Sequence, residues 1–165
     1  MKGVAYIFGD DISTDAIIPT DYTHGSTIDY KHVFDPVRPG FADEIEKGDI
    51  VVAGKNFGCG SSRESAPIAM QLSGVSGVVA ESFSRIFYRN AIAIGLPVIT
   101  AKRITEFVSE GNEIEINLDT GIILNNTTGV EIEGESMPRE IQSIFEAGGL
   151  INHYKLNKDE NEVEK

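Results

Sequence analysis

Short apolar runs separated by polar turns occupy much of the chain. The run "GVAYIFG" (3–9) predicts a first strand, and "DIVVAG" (49–54) and "GVSGVVAE" (74–81) predict two further strands. Short apolar runs that are bounded by turn residues are typical of buried strands. The run "LPVIT" predicts another strand, and the alternating segment 113–133 predicts a β-meander or a pair of hairpins.

Helical patterns lie between these strands. "SAPIAMQLSG" (65–74) predicts a short helix, and Pro67 requires that this helix begin within a few residues of Arg63, because proline is tolerated only in a first turn. Segment 82–95 predicts a helix that ends at Gly95. Its apolar positions at helical spacing are Phe83, Ile86, Phe87, Ala91 and Ile94.

The remaining segments complete an α/β chain with β-rich ends and helices in the middle. Residues 21–48 predict a long loop with a short helix near 41–46, and long loops in compact domains are often functional. Residues 138–154 predict a last amphipathic helix with a Gly-Gly stop. The charged segment 157–165 lacks apolar periodicity and predicts a frayed end.

Composition narrows the class of protein. The 165 residues, 41% of them hydrophobic, fit one domain, and a net charge of −12 argues against nucleic-acid and anionic-membrane partners. No apolar run approaches membrane-spanning length, and Met1 leads directly into a strand-like segment, so we expect no signal peptide. The single cysteine allows no internal disulfide, which favours a reducing cytoplasm.

The stretch "KNFGCGSSRESAP" (55–67) carries the candidate chemistry. It is not a Rossmann fingerprint, because Arg63 stands at the third glycine position, and it lacks the Gly-Lys-Ser/Thr ending of a Walker A loop. Cys59 without a nearby histidine is more often structural than nucleophilic, and one cysteine alone cannot hold an iron–sulfur cluster.

Two interpretations of this stretch remain open from the residues. In the first, the glycine-rich turn and the following helix present free N–H groups to an anion. Ser61 and Ser62 add hydroxyls, and Arg63 adds a fork that fits a carboxylate. In the second, Ser61 and Glu64 merely form a capping box, which spacing alone favours. A serine hydroxyl beside a cation could also act as a general base.

Three motifs in order and spacing resemble the small-subunit family of 3-isopropylmalate dehydratase. They are "DISTDAIIP", "GDIVVAGKNFGCGSSRESAP" and "AESFSRIFYRNAIAIGLPVI". More broadly, they resemble the detached swivel domain of the aconitase superfamily, over roughly residues 3–150. The resemblance implies an α/β fold of the swivelling β/β/α three-layer type over residues 1–155, followed by a charged flexible tail at 156–165.

The resemblance also implies roles for individual residues. Ser61 matches the serine that removes or returns the substrate proton, and Ser62 and Arg63 match the neighbours that bind a substrate carboxylate. Asp15 matches an aspartate of the active-site hydrogen-bond network, although it could instead be a capping turn residue. Arg85 and Arg89 could reach an anion, but we expect them to orient their helix through carboxylates of the chain.

The resemblance implies a partner and a cofactor. A separate large subunit would carry a [4Fe–4S] cluster on its own cysteines, so we expect no cofactor on this chain. The partners would be that subunit and a small dicarboxylate or hydroxy acid, and the isolated chain could form a homo-oligomer.

Two departures from the family pattern bear on the substrate. Ser65 stands where the family usually has histidine, and Thr23 stands in place of the leucine of a Tyr-Leu pair. Homoaconitase-like relatives place an arginine in this loop to hold a distal carboxylate, whereas no arginine precedes Arg38 here. An apolar 2- or 3-substituent is therefore favoured, although a protonated His24 could partly replace the arginine.

The leading hypothesis is a hydro-lyase small subunit that acts on 2- or 3-substituted malates, with Thr23 and His24 near the substituent. 3-Isopropylmalate in leucine biosynthesis is the first choice, and dimethylmalate, citramalate and homoaconitate are alternatives. A non-catalytic anion-binding module is the rival from another class, and the two hydroxyls of Ser61 and Ser62 argue against it.

Overall fold

The computed structural model describes residues 1–25 and 27–163, with side chains described through residue 158. The strands are β1 (Lys2–Ile7), β2 (Thr23–His24), β3 (Thr27–Ile28), β4 (Ile50–Ala53), β5 (Gly77–Ala80), β6 (Val98–Thr100), β7 (Glu113–Ile116), β8 (Ile122–Asn125) and β9 (Val130–Glu133). The helices are α1 (Thr14–Ile17), α2 (Phe41–Glu44), α3 (Ser65–Ser73), α4 (Arg85–Ile94), α5 (Ile104–Phe107), α6 (Arg139–Glu146) and α7 (Leu150–Val163).

Seven strands form one curled sheet in the order β6-β5-β4-β1-β7-β8-β9. The four strands from β6 to β1 pair in parallel, and β7 to β9 continue as an antiparallel meander. The amide of Glu135 donates to the carbonyl of Thr100 at 2.8 Å, which joins the end of the meander to β6. The predicted strands and the meander are confirmed.

Two apolar cores lie on opposite faces of the parallel strands. Along β4, Val51 and Ala53 pack beneath α3 and α4, while Ile50 and Val52 face the meander and α5. This alternation follows from the strand period of two and explains why β4 is buried on both faces. A helical layer, a parallel layer and an antiparallel layer result, which confirms the expected β/β/α architecture.

The carboxyl ends of β1, β4, β5 and β6 lie at one edge of the sheet, because these strands are parallel. The loops at 8–13, 54–64, 81–84 and 101–103 leave from this edge. Open α/β sheets bind ligands at such an edge, since the loops that follow the strands converge there. Residues 55–64 of the sequence-predicted stretch 55–67 lie in one of these loops, and residues 65–67 begin α3.

The C-terminal region differs from the prediction. The single helix expected over 138–154 is two helices, α6 and α7, separated by Gly148 and Gly149, which both have positive φ. α7 continues to Val163 and crosses the proposed start of the tail at residue 156. Flexibility of that tail stays a prediction, and residues 164–165 lie outside the described residues. Within the described chain, no helix is long and apolar enough to cross a membrane.

Candidate active-site edge

The loop after β4 makes a sharp turn that depends on glycine. Gly58 and Gly60 have φ of +76° and +96°, a region that side chains with a Cβ rarely occupy. A Cβ on Gly58 would lie 2.2 Å from the ring of Phe87 in α4, so the loop backbone packs directly on that ring. The two glycines therefore place residues 61–63 at the edge of the sheet.

Backbone bonds attach this loop to the segment after β1. The amide of Gly58 donates to the carbonyl of Ile12 at 2.7 Å, and the amide of Thr14 donates to the carbonyl of Cys59 at 2.8 Å. The hydroxyl of Thr14, which is almost fully buried, donates to the carbonyl of Ser61 at 3.3 Å. The two sequence motifs, about 45 residues apart along the chain, are thus adjacent in space.

Arg63 is the centre of the resulting cluster. Its Nη2 donates to a carboxylate oxygen of Asp15, and its Nη1 donates to the hydroxyl of Thr20. The Arg63 side chain is 22% exposed, whereas that of Asp15 is 60% exposed. A guanidinium has five N–H donors, so these two contacts orient Arg63 and leave donors for a ligand carboxylate.

Ser61 and Ser62 are exposed next to Arg63. Their hydroxyls make no hydrogen bond to the described part of the chain, and neither do the backbone N–H groups of residues 61–63. The capping box favoured by spacing is wrong. α3 begins at Ser65, and its N-cap residue Glu64 makes no side-chain cap bond. Ser61 lies too far ahead of the helix to cap it.

Ser65 and Arg63 carry the two buried side-chain polar atoms that lack a hydrogen-bond partner among the described residues. They are the hydroxyl of Ser65 and the Nε of Arg63. Buried polar groups are normally paired, and unpaired ones occur often at functional sites. Ser65 is also one of the two positions at which the sequence departs from the pattern that it resembles.

Thr23 and His24 form β2, which pairs with β3 in a small hairpin. The hydroxyl of Thr23 donates to the carbonyl of Thr20 at 2.9 Å, so Thr23 joins the Arg63 cluster through Thr20. His24 is exposed, and no hydrogen bond or ion pair connects it to the other predicted site residues in the described chain. Hydrogen bonds therefore link Asp15, Arg63 and Thr23 into one cluster, with Ser61 and Ser62 in the same loop as Arg63, whereas none links His24 to it in the described chain.

The predicted role of Arg85 and Arg89 finds no support among the described residues. Both are exposed on α4, and neither has a carboxylate oxygen within 4.0 Å among the described residues. Ile86, which the helical spacing assigned to the buried face, is 47% exposed. The neighbouring positions Phe87 and Ala91 are buried as predicted.

The described residues hold no group of three or more His, Cys, Asp or Glu side chains arranged to bind a metal ion. Cys59 is partly exposed, and its thiol donates to the carbonyl of Asp11 at 3.5 Å. The residues of this chain therefore do not fit an iron–sulfur cluster, which requires several thiolates.

Three contributors to the site were not predicted from the sequence. Thr20 binds Arg63, Thr14 fixes the position of Ser61, and the Asn90 amide approaches the carbonyl of Ser62 at 3.4 Å. The role of Thr14 could have been predicted, because a polar residue inside the motif "STDAIIP" that becomes buried needs a hydrogen-bond partner. Thr20 and Asn90 offered none, because their roles depend on tertiary contacts.

Comparisons with known proteins agree with this architecture. The profile of the family Aconitase C-terminal domain matches residues 8–103. The "Isopropylmalate/citramalate isomerase small subunit" of Methanocaldococcus jannaschii is 46% identical over 164 residues, which is 98% of each chain. The "3-isopropylmalate dehydratase small subunit" of Lachnoclostridium phytofermentans is 48% identical over 92% of this chain and 93% of its own.

Two further similarities point to the same family. The "Methanogen homoaconitase small subunit" of Methanothermobacter thermautotrophicus is 49% identical over 93% of this chain and 90% of its own. A crystal structure of 3-isopropylmalate dehydratase from M. jannaschii superposes with a TM-score of 0.90 at 41% identity and covers 99% of this chain and 98% of that one. The chain therefore belongs to the aconitase C-terminal domain family, among its dehydratase and isomerase small subunits.

Proposed function

We propose that this chain is the small subunit of a hydro-lyase that acts on 2- or 3-substituted malates, with 3-isopropylmalate as the first-choice substrate. The observation that carries the proposal is the position of Arg63, which Asp15 and Thr20 hold beside the exposed hydroxyl of Ser61. Proton abstraction from the carbon beside a carboxylate requires a base close to a group that donates hydrogen bonds to that carboxylate. Ser61 is the candidate base, and Arg63 is the donor.

Ser61 acts as the base in this proposal. Its alkoxide removes the proton from the carbon next to a substrate carboxylate, and the electron pair of that C–H bond forms a C=C bond. The hydroxyl on the adjacent carbon leaves as hydroxide with the electron pair of its C–O bond, and a proton from solvent converts it to water. Addition of water in the opposite sense gives the regioisomer, with the Ser61 proton returned to carbon. The free N–H groups of residues 61–63 and the charge of Arg63 favour the alkoxide.

Arg63 binds and orients the substrate carboxylate. Asp15 fixes the plane of the guanidinium, and Ser62 supplies a second hydroxyl within the same turn. A planar fork held from one side offers two parallel N–H bonds to a ligand from the other. Proximity of Ser61 and Arg63 then sets which hydrogen of the substrate faces the base.

The substituent is proposed to be apolar. Relatives named for isopropylmalate, citramalate and homoaconitase have similar identities, from 46% to 49%, so similarity does not choose among them. Arg38 donates to Glu44 at 2.5 Å and to Glu110 at 2.6 Å. It is therefore committed to internal ion pairs, which supports a substrate without a further carboxylate.

We also propose that the cluster lies on the partner. The names "small subunit" imply a large subunit, and the lone Cys59 fits the expectation that a [4Fe–4S] cluster is bound by that partner. The chain would work in the cytoplasm, where its single thiol stays reduced.

Dehydration assays over a panel of malates test the proposal. The chain is co-purified with the large subunit of its own organism and is assayed with 3-isopropylmalate, citramalate, dimethylmalate and homoaconitate. We expect kcat/KM to be highest for 3-isopropylmalate. Highest activity on homoaconitate would refute the substrate assignment, and an inactive complex with intact cluster would favour the non-catalytic module.

A further inference from the structure

The outer face of α4 carries an unusual surface for so acidic a chain. Arg85, Ile86 and Arg89 are exposed on it, and we call these three residues the α4 surface. In a chain of net charge −12 with 26 acidic residues, exposed arginines would be expected to find carboxylates. Within the described chain these two arginines have none within 4.0 Å, and Ile86 between them is 47% exposed.

The α4 surface adjoins a cavity of about 570 Å³ at the carboxyl ends of β5 and β6. Its lining residues are Ser82, Phe83, Arg85, Tyr88, Arg89, Thr100 and Glu135. Two arginines and one glutamate therefore line the cavity. Burial and the nearby carboxylate of Glu135 raise the pKa of Tyr88, so its phenol remains a neutral hydrogen-bond donor.

This cavity lies on the same edge of the sheet as the loop at 54–64, which carries Ser61 and which we call the catalytic loop. Both follow the carboxyl ends of the parallel strands, β4 for the loop and β5 and β6 for the cavity. α4 itself contacts the loop, because Asn90 approaches the carbonyl of Ser62 and the ring of Phe87 packs on Gly58. A protein that covers Ser61 to complete the active site would reach α4 as well.

We infer that the α4 surface is the place where the large subunit docks, with an acidic segment of that subunit between Arg85 and Arg89 and an apolar side chain against Ile86. This inference rests on the proposed function, which requires a second subunit over this edge. Interfaces commonly combine an exposed apolar centre with arginine, which forms paired bonds to carboxylates. The two arginines also give an acidic chain a local positive field that steers an acidic segment to this edge.

Charge reversal tests the inference. The double variant Arg85→Glu plus Arg89→Glu is compared with Lys2→Glu plus Lys47→Glu, which changes the net charge equally. Lys2 begins β1 and Lys47 precedes β4, so the control alters the opposite edge of the sheet. Affinity for the cluster-loaded large subunit is measured by calorimetry at low and moderate salt.

We expect the α4 variant to bind about 10- to 100-fold more weakly than wild type, with a smaller dependence on salt, and the control to bind within about threefold. Thermal melting of each isolated variant verifies that it is folded. Unchanged affinity of a folded α4 variant, or equal loss in both variants, would overturn the inference.

Two further measurements distinguish subunit docking from failure of the proposed function and from binding of a small anion. If the wild-type chain fails to bind any large subunit, the proposed function fails. A difference in affinity between the α4 variant and the control tests the α4 surface alone. Malonate and succinate are titrated into the isolated wild-type chain. Saturable binding that Arg85→Glu plus Arg89→Glu abolishes, with subunit affinity unchanged, would show a small-anion site and contradict the docking assignment.

Discussion

Ser61 offers a clean test at the residue scale, because its hydroxyl makes no hydrogen bond in the described chain and caps no helix. We expect Ser61→Ala to change the free energy of unfolding by less than about 0.5 kcal/mol, as for an exposed residue. In contrast, kcat of the complex should fall by about 10²- to 10⁴-fold, since the general base is removed. KM should change little, because Arg63 still binds the carboxylate.

Thermal melts and steady-state kinetics on one preparation decide this prediction. Ser73→Ala is the control, because Ser73 lies at the end of α3 that is far from Ser61. The Ser73 hydroxyl donates to the carbonyl of Met70. A melting temperature that drops while kcat stays near wild type would remove Ser61 from catalysis.

Arg63→Lys tests whether the site needs the planar shape of the Arg63 guanidinium or only its positive charge. An ammonium keeps the charge but cannot bind Asp15, Thr20 and a carboxylate with the geometry of a planar fork. Loss of one charge-assisted bond costs about 1.5–3 kcal/mol. We therefore expect KM to rise by about 10- to 150-fold with the complex still assembled.

Substrate titration of the complex by calorimetry and kinetics measures this effect. The control is Lys47→Arg, which exchanges the same two residue types in the reverse direction. Lys47 is exposed and lies on the opposite edge of the sheet. Wild-type kinetics in Arg63→Lys would mean that Arg63 has only a structural role.

At the scale of elements, the contact of the catalytic loop with α4 depends on the absence of a side chain at Gly58. In Gly58→Ala, the new Cβ would meet the Phe87 ring and would also occupy positive φ. We expect a loss of about 2–4 kcal/mol in unfolding free energy, since backbone strain and overpacking each contribute about 1–3 kcal/mol.

Gly129→Ala is a control with the same φ of +76° and open space around its Cβ. It should lose only the backbone contribution, about 1–2 kcal/mol. Denaturant unfolding of both variants measures the difference. Equal losses would show that the Phe87 contact does not constrain the loop.

The loop that precedes α2 has a pH-dependent anchor in Asp35. The backbone N–H of Gly40 first, and then His32, lower the pKa of Asp35 below its ordinary value of about 3.9. Because the folded pKa is depressed, this stabilisation is present above about pH 4 and is lost as pH falls through the folded pKa.

Asp35→Asn should therefore be less stable than wild type at pH 7, and the difference should shrink below about pH 4. Denaturant unfolding from pH 7 to pH 2.5 measures it. Asp21→Asn is the control, because Asp21 lies in the short helical turn before β2 and its side chain makes no hydrogen bond or ion pair in the described chain. A stability difference that does not depend on pH would contradict a role for the Asp35 carboxylate.

For the whole molecule, we expect the isolated chain to bind no cluster and to be inactive. Cys59 is its one cysteine, and the described residues offer no metal-binding group. Iron and sulfide analysis after anaerobic reconstitution measures this. Stoichiometric iron on the isolated chain would refute it, whereas activity that appears only on adding the large subunit would agree with it.

Much of the fold and part of the candidate site could be predicted from the sequence. Apolar runs predicted the strands of the parallel layer, Pro67 placed the start of α3 and Gly95 placed the end of α4, because these signals act through local backbone chemistry. The three motifs also predicted Ser61 and Arg63 as site residues, which stays a prediction, and the structure places both in the loop after β4. The predicted Gly-Gly stop at residues 148–149 was real, but it separated two helices.

Only the tertiary structure decided how these residues meet. The capping box was wrong, since local spacing does not reveal where a loop ends and a helix begins. Thr20 joined the site because β1 and β4 are parallel neighbours and their following loops lie side by side. The exposure of Arg85, Ile86 and Arg89 likewise depends on which face of α4 meets the sheet. Periodicity sets the local conformation of an element, but the arrangement of its neighbours sets what that element can bind.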